Sequence, residues 1–256
     1  MFSLTRIPAF RAVAIAAFTA ILTFAATFAA TFAALAQEQQ RQDQRQESRQ
    51  ESRQESRAGG EPGKFDFYVL ALSWSPSFCE AAKERAPDRT PQAQCSSRPY
   101  HFVVHGLWPQ YERGFPRDCQ VPSPRLNRNI VSSMLDLMPS PRLVFNEWDR
   151  HGTCSGLGQQ GYFEAVRKSY DATKIPDKFL NITNYLMVTP EEVEDAFVAA
   201  NPGLSRAAIA VTCDTRRLSE VRICLTKDLQ FRDCPEIDRR ACRRDKIVMP
   251  PVRSSG

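Results

Sequence analysis

Short runs of apolar residues recur between residues 65 and 252, and the longest of them, FDFYVLALSW at 65–74, contains almost no polar side chains. A strand that is buried on both faces has this pattern. A second strand is predicted for HFVVH at 101–105. Further strands are predicted where apolar residues alternate with polar ones or cluster in short runs, at 207–213, 218–225 and 228–232.

Helices are predicted where apolar residues recur every three or four positions, at 126–138 and 161–173. Another helix begins after Thr189 and runs to Ala200, because Thr189 and Glu192 form a capping box with Pro190 in the first turn. Strands and helices interleave without a strict βαβ alternation. This order predicts an α+β fold with a mostly antiparallel sheet.

The N-terminal region is predicted to be an export signal. Arg6 and Arg11 precede an uncharged, mostly apolar stretch at 12–33, and the tripeptide Ala-Leu-Ala at 34–36 has the A-x-A form of a cleavage site. We therefore expect residues 1–36 to be a cleaved signal peptide. The alternative is an uncleaved membrane anchor, because the apolar stretch is long enough to cross a bilayer.

A charged tract separates this signal from the apolar pattern. Residues 37–63 contain a repeated Ser-Arg-Gln-Glu unit, lack large apolar side chains and end in glycine and proline, which is typical of a disordered spacer. The folded domain is then predicted at 64–252, followed by a short tail at 253–256.

Composition narrows the class of protein. The chain has 34 Lys and Arg against 29 Asp and Glu, and its net charge of +5 is too small for a protein that coats DNA. A hydrophobic fraction of 42% excludes a wholly disordered chain. The eight cysteines all lie in the predicted domain, and an even number behind an export signal predicts disulfide bonds. Their spacing alone leaves the pairing open.

Two segments carry the reactive side chains, HGLWPQ at 105–110 and EWDRHGTC at 147–154. The first is expected to enter a turn after the strand. If the second is helical, Glu147 and His151 lie one turn apart on the same face, and Gly152 ends the helix. A carboxylate beside an imidazole raises the pKa of the imidazole and orients its ring. The alternatives are an ordinary surface ion pair and, for His105, a structural role.

Together, His105, Glu147, Arg150 and His151 suit acid–base catalysis of phosphoryl transfer. A neutral imidazole takes the proton of a 2′-hydroxyl, a protonated imidazole supplies a proton to the leaving 5′-oxygen, and Arg150 stabilises the anionic phosphorus centre. No metal or cofactor is needed, because the nucleophile belongs to the substrate. Trp108 offers a face on which a base stacks, unless it belongs to the core.

Two other classes of site are disfavoured. His101 and His105 have the spacing of a zinc-binding pair, but four residues along a strand span about 13 Å, which is too far for one ion. A serine hydrolase is disfavoured because the chain has no G-x-S-x-G turn.

The segments HGLWP at 105–109 and EWDRHGTC at 147–154 resemble the two active-site segments of the ribonuclease T2 family. FYVLALSWSPSFC at 67–79 and LSEVRICL at 218–225 resemble core strands of the same family. The resemblance implies a disulfide-stapled, ribonuclease T2-like α+β fold, in which helices flank a central antiparallel sheet. It also implies a secreted, acid endoribonuclease with little base specificity.

This resemblance implies roles for individual residues. His105 and His151 correspond to the acid–base pair, with His151 as the base and His105 as the acid of the first step. Glu147 and Arg150 assist the transition state, and Trp108 lines the first base site. The implied products are a 5′-hydroxyl and a 2′,3′-cyclic phosphate, which is then hydrolysed to a 3′-phosphate.

The resemblance also implies four disulfides: Cys79–Cys95, Cys119–Cys154, Cys213–Cys242 and Cys224–Cys234. Three positions depart from the family pattern. Asn146 stands where many members have His, Arg150 where Lys is usual, and Gln110 where fungal members often have Asp. Asn146 hydrogen-bonds a phosphate without adding charge, and Arg differs from Lys in reach and shape. Trp108, Gln110 and Asn146 are the expected substrate-binding residues.

The sequence thus predicts a secreted or periplasmic endoribonuclease that acts on single-stranded RNA and not on DNA, which lacks the 2′-hydroxyl. A monomer is expected, with membrane contact only if the signal segment is retained. The alternative is a non-catalytic, exported RNA-binding domain on the same scaffold, since a fold does not determine a function.

Overall fold

The computed structural model describes residues 37, 39–42, 59–89, 92–96, 98–238 and 241–252. The predicted signal peptide, the tail at 253–256 and most of the charged spacer lie outside these residues. Gln37 and residues 39–42 are helical. The compact unit begins at Gly59, and Gly63 is part of it because its amide donates to the carbonyl of Cys154 at 2.9 Å. No described helix combines the length and apolar character that a bilayer crossing requires.

Four strands form the central sheet: β1 (Phe67–Trp74), β2 (Phe102–Gln110), β4 (Ile209–Cys213) and β5 (Leu218–Leu225). They lie in the order β2-β1-β5-β4, and every neighbouring pair is antiparallel. All residues of β1 except Ser73 are buried, which confirms the predicted strand buried on both faces. Two short strands that the apolar pattern did not predict, β3 (Leu186–Val188) and β6 (Ile247–Met249), pair antiparallel in a second sheet.

The helices are α1 (Ser75–Arg85), α2 (Gln92–Cys95), α3 (Arg128–Ser133), α4 (Pro141–Arg150), α5 (Gly158–Asp171), α6 (Pro190–Ala200) and α7 (Pro235–Asp238). Short 3₁₀ segments lie at Pro87–Arg89, Gly152–Cys154, Asp177–Phe179 and Arg206–Ala208. The capping box predicted for α6 is confirmed, because the Thr189 hydroxyl accepts from the Glu192 amide and the Glu192 carboxylate accepts from the Thr189 amide.

Several predicted elements differ in extent. The helix expected at 126–138 is reduced to α3, and the following residues form turns. The strand expected at 228–232 is wrong: the amide of Thr226 donates to the carbonyl of Gln230 at 2.7 Å, which closes a tight turn. Only Phe231 makes an isolated bridge, to Leu225. Helix α1, which follows β1 directly, was not predicted.

The sheet separates two apolar clusters, because successive residues of a strand point to opposite faces. The larger cluster packs one face, including Leu70 and Ile223, against helices α3 to α6. The smaller cluster, on the opposite face, consists of Phe67, Val69, Ala210, Cys224, Cys234 and Ile237. Helix α7 contributes Ile237 and so packs on that face. The reactive side chains lie on the face of the smaller cluster.

All eight cysteines form disulfides, and the pairing implied by the family resemblance is confirmed: Cys79–Cys95, Cys119–Cys154, Cys213–Cys242 and Cys224–Cys234. The first joins α1 to α2. The third ties the end of β4 to the chain that precedes β6. Four disulfides are typical of proteins that fold in an oxidising compartment.

Candidate active site

The first reactive segment lies in β2, which continues through Gln110. The sequence analysis expected a turn after His105, and this expectation is wrong. Because β2 is an edge strand, Pro109 is tolerated within it although proline has no amide hydrogen. The segment is therefore held by β1 along its whole length.

A β-bulge in β2 sets the direction of the His105 side chain. Ala71 of β1 pairs with Gly106, whereas Leu72 pairs with Val104, so that His105 is the extra residue between the two pairs. Bulges bend a strand locally and redirect a side chain at the sheet edge. The bulge thus turns His105 towards β5 and the face of the smaller cluster, where it meets Glu220.

Carboxylates hold both ring nitrogens of His105. Nδ1 lies 2.5 Å from Oε1 of Glu220, and Nε2 lies 3.7 Å from Oε1 of Glu147. Burial alone lowers the pKa of this imidazole, but the hydrogen bond and charge of Glu220, together with the charge of Glu147, raise the pKa overall. His105 therefore favours its protonated form.

Glu220 and Arg222 are site residues that the sequence analysis did not single out. Both lie on β5, two residues apart, and so share one face of the sheet. Arg222 donates two hydrogen bonds to Oε2 of Glu220, at 2.9 and 2.8 Å, and Ser73 donates to Oε1 at 3.3 Å. Burial raises the pKa of Glu220, but the hydrogen bond and charge of His105 and the charge of Arg222 lower it to about 2. Glu220 therefore stays ionised.

The second reactive segment forms the end of α4. Ser140 caps this helix at its N-terminus, and Glu147 is buried along its inner face. The helix ends at Arg150, and His151 is its C-cap with a φ of −120°. Gly152 follows, as predicted, but glycine is needed there because a Cβ would overlap the ring of Trp148 and not because φ is positive.

Glu147 faces β2 and not His151. Its Oε2 accepts a 2.7 Å hydrogen bond from Nε1 of Trp108. A Cβ at Gly106 would overlap the same carboxylate, so glycine at that position leaves room for it. Burial raises the pKa of Glu147 to about 7, although the charge of His105 and the hydrogen bond from Trp108 act in the opposite direction. The prediction that Glu147 raises the pKa of His151 is wrong.

His151 packs against the indole of Trp108, with ring centroids 5.5 Å apart. Its Nδ1 is buried and has no hydrogen-bond partner among the described residues. Burial lowers the pKa of His151 to about 3, and the positive charges of His105 and Arg150 act in the same direction. The ring of His105 also lies 5.2 Å from Trp108. Two imidazoles whose pKa values are shifted in opposite directions therefore flank a single indole.

A cavity of about 270 Å³ opens beside these rings. Four of its lining residues were predicted as site residues, namely Trp108, Gln110, Arg150 and His151. Arg222 reaches the same cavity from β5, with its guanidinium 5.1 Å from the Trp108 ring. The cavity thus joins the two reactive segments, which are distant in sequence.

Other residues were either missed or lie elsewhere. Phe115 and Arg117, in the loop after β2, line the cavity, and Phe115 is 40% exposed. An exposed aromatic ring beside Trp108 offers a second surface for stacking a planar group. Asn146 is exposed on the outer side of α4 and is not part of the cavity lining. His101 also lies apart, with its Nδ1 accepting from the amide of Phe102.

The arrangement suits an anionic ligand and proton transfer to and from it. Arg150 and Arg222 bring positive charge to the cavity, neutral His151 accepts a proton, and protonated His105 donates one. The described residues contain no group of three His, Cys, Asp or Glu side chains placed to hold a metal ion.

Sequence comparisons identify similar proteins. A model of the Ribonuclease T2 family matches residues 65–234. The chain is 46% identical over 107 residues to a protein named Ribonuclease from Aeromonas hydrophila, covering 42% of this chain and 46% of that protein. It is 32% identical over 178 residues to a Probable ribonuclease from Haemophilus influenzae, covering 66% of this chain and 61% of that protein. The matched region thus spans less than two thirds of either relative.

Solved structures share the fold. RNase NT in complex with 5′-AMP is 29% identical, with a TM-score of 0.55 over 73% of this chain and 99% of that chain. An RNase-related protein from Calystegia sepium is 24% identical, with a TM-score of 0.59 over 74% of this chain and 98% of that chain. The predicted α+β fold, with an antiparallel sheet, flanking helices and four disulfides, is therefore confirmed.

Proposed function

The chain belongs to the ribonuclease T2 family, and from this premise we propose that it is a metal-independent endoribonuclease that cleaves single-stranded RNA with little base specificity. One observation carries the proposal: two imidazoles whose pKa values shift in opposite directions flank the ring of Trp108, which lines the cavity. Burial lowers the pKa of His151 and keeps its ring neutral, while the hydrogen bond and charge of Glu220 act against burial at His105 and favour its protonated form.

In the first step, His151 is the general base and His105 the general acid. The neutral imidazole of His151 takes the proton of a ribose 2′-hydroxyl, and the 2′-oxygen forms a bond to the adjacent phosphorus. The bond between phosphorus and the 5′-oxygen of the next nucleotide breaks, and His105 gives its proton to that oxygen. The products are a 2′,3′-cyclic phosphate and a 5′-hydroxyl. DNA is not cleaved, because it lacks the nucleophile.

In the second step, the histidines exchange roles. His105, now neutral, takes a proton from water, which attacks the cyclic phosphate, and His151 returns its proton to the departing 2′-oxygen. The product is a 3′-phosphate, and both imidazoles regain their starting protonation states.

The charge that develops on the phosphate oxygens is stabilised by Arg150 and Glu147. Arg150 lines the cavity and carries a fixed positive charge. The pKa of Glu147, which burial raises to about 7, keeps this carboxyl mostly protonated in acid. A protonated carboxyl donates a hydrogen bond to a phosphate oxygen and does not repel the anion.

Glu220 and Arg222 act through His105. Glu220 holds Nδ1 of the imidazole at 2.5 Å, which leaves Nε2 as the nitrogen that delivers the proton. Arg222 fixes the carboxylate of Glu220 by two hydrogen bonds, so the ring keeps a single orientation. The pair positions the acid and keeps it charged.

The cavity is the proposed base site. Trp108 and Phe115 offer aromatic surfaces, and Gln110 offers an amide for hydrogen bonding. Stacking on aromatic rings tolerates all bases, in agreement with little base specificity. RNase NT, which shares the fold, has been solved in complex with 5′-AMP. Asn146, exposed on α4, contacts only substrate that extends beyond the cavity.

The protein is proposed to act outside the cytoplasm, secreted or periplasmic, after removal of residues 1–36. The four disulfides support this location, because such bonds persist in oxidising compartments.

The test compares an RNA oligonucleotide with its all-deoxy analogue in excess EDTA. We expect cleavage of RNA alone, with 2′,3′-cyclic phosphate ends detected by mass spectrometry. His105→Ala and His151→Ala are expected to abolish most of the activity. His101→Ala is the matched control, because the third histidine lies outside the site. Cleavage of DNA, or full activity in either site variant, contradicts the mechanism. RNA binding without cleavage supports the non-catalytic alternative.

A further inference from the structure

A basic loop, defined here as residues 241–246 (ACRRDK), lies beside the end of β4. Arg243, Arg244 and Lys246 are exposed. Together with Thr212 and Cys213, the loop lines an open groove separate from the candidate active-site cavity. Within the part of the chain that the structure describes, no ion pair neutralises these three cations, and Asp245 is the one acidic residue of the groove lining.

The basic loop is fixed at both ends. Cys242 is joined to Cys213 of β4 by a disulfide, and its amide donates to the carbonyl of Val211 at 2.7 Å. On the other side, Val248 of β6 donates to the carbonyl of Arg216 at 2.8 Å. A loop held in this way loses little conformational freedom when a ligand binds.

The groove lies on the same face of the sheet as the acid–base pair. Thr212 of β4 and Ser73 of β1 both pair with Glu220 of β5, so these three residues form one row across the sheet. Glu220 in turn contacts His105 at the other edge. Three strand spacings, about 14 Å in total, separate the two edges of the sheet. The groove is therefore within reach of a nucleic acid strand bound at His105.

The cavity and the groove are also neighbours through the smaller apolar cluster. Ala241, the first residue of the basic loop, and Trp108 of the cavity both pack against this cluster. Ile237 of α7 belongs to the cluster and lines the cavity. The two openings therefore adjoin the same apolar cluster.

We propose that the basic loop is a second phosphate-binding site, which holds the RNA backbone of nucleotides beyond those at the cleaved bond. The inference rests on the proposed function. Exposed guanidinium and ammonium groups bind backbone phosphates without reading the bases, in keeping with an enzyme of little base specificity. RNA is favoured over another anionic partner, because the groove continues the face that carries His105 and Arg222.

The experiment uses oligonucleotides with a single ribonucleotide in an otherwise deoxy strand, so that each has one cleavable bond. The series starts from a dinucleotide and is extended on the 5′ or the 3′ side. The test variant is Arg243→Gln/Arg244→Gln/Lys246→Gln. The control variant removes the same charge from three exposed residues on helices α1, α3 and α5, as Lys83→Gln/Arg128→Gln/Lys168→Gln.

We expect all three proteins to cleave the dinucleotide with equal kcat/KM. For substrates long enough to reach the basic loop, the test variant loses about tenfold in kcat/KM at low salt, and the control keeps the wild-type value. Each phosphate contact to a single strand contributes about 0.7 to the salt dependence of log K, so the slope becomes shallower by about 2. The side on which extension matters shows the direction in which the strand runs.

The proposal is overturned if kcat/KM changes with substrate length in the same way in the test and control variants. If the wild type cleaves no substrate of the series, the proposed function fails, and binding of all-deoxy oligonucleotides, followed by fluorescence anisotropy, still tests the basic loop. Loss of that binding in the test variant, but not in the control, supports the basic loop as a phosphate-binding site. If the test variant keeps oligonucleotide binding but no longer binds vesicles of anionic phospholipid, the loop is a membrane-binding surface and the proposal is wrong.

Discussion

Replacing Glu220 by Gln tests whether this residue positions and charges the catalytic acid. The substitution keeps the size of the side chain but removes the negative charge that lies 2.5 Å from Nδ1 of His105. A hydrogen bond to a charged partner contributes about 1.5–3 kcal/mol. Because the His105 side chain is 38% exposed, solvent screens the pair, and we use the lower end of that range. About 1.5 kcal/mol corresponds to a loss of about tenfold in rate.

The loss depends on pH, and its sign follows from the direction of the pKa shift. Against the effect of burial, Glu220 raises the pKa of His105, so the wild-type acid keeps its proton to higher pH. Without the carboxylate, the proton leaves earlier as the pH rises. The alkaline limb of the kcat profile therefore moves to lower pH in Glu220→Gln. At acid pH His105 is protonated in both proteins, and their rates converge.

The assay measures kcat and KM across pH with a dinucleotide substrate. Ser73→Ala is the matched control, because it removes a 3.3 Å hydrogen bond to the same carboxylate but no charge. We expect Ser73→Ala to keep the alkaline limb of the wild-type kcat profile. Both variants are expected to keep the wild-type KM. A uniform loss in Glu220→Gln at every pH would indicate a purely structural role, and an unchanged limb would refute the reasoning.

Three further predictions follow from single contacts. His151→Ala lowers kcat by about 10²–10⁴ in steady-state assays, whereas His101→Ala leaves it near the wild-type value; similar losses in both would point to misfolding. Gly106→Ala lowers the free energy of unfolding by about 1–3 kcal/mol in urea titrations, because the added Cβ overlaps the Glu147 carboxylate, and an unchanged midpoint would contradict this packing. Phe115→Ala raises KM more than it lowers kcat, because the ring lines the proposed base site; an unchanged KM would remove it from that site.

Local signals predicted much of the fold. The nearly continuous apolar run at 65–74 identified β1, because a strand buried on both faces carries few polar residues. Thr189 and Glu192 identified the start of α6, because the capping box is made within one turn. The second sheet was missed, since β3 and β6 are short and depend on a partner distant in sequence.

The sequence predicted most residues of the candidate site but not the contacts between their side chains. Glu147 and His151 do not pair, because His151 is a C-cap that has left helical geometry and no longer obeys the one-turn spacing. The bulge at His105 is a property of the register between two strands and has no local signature. Glu220 was detectable in principle, since an acidic and a basic residue share one face of a mostly buried strand.

The most direct test of the central claim is an NMR titration of the three histidine rings in the free protein. Single His→Ala variants would assign the signals. The account predicts that His151 stays neutral as the pH falls to about 3, while His105 keeps its proton above the pH at which an ordinary histidine loses it. Two rings that both titrate at the ordinary histidine value, or a His151 that charges before His105, would contradict the assignment of base and acid.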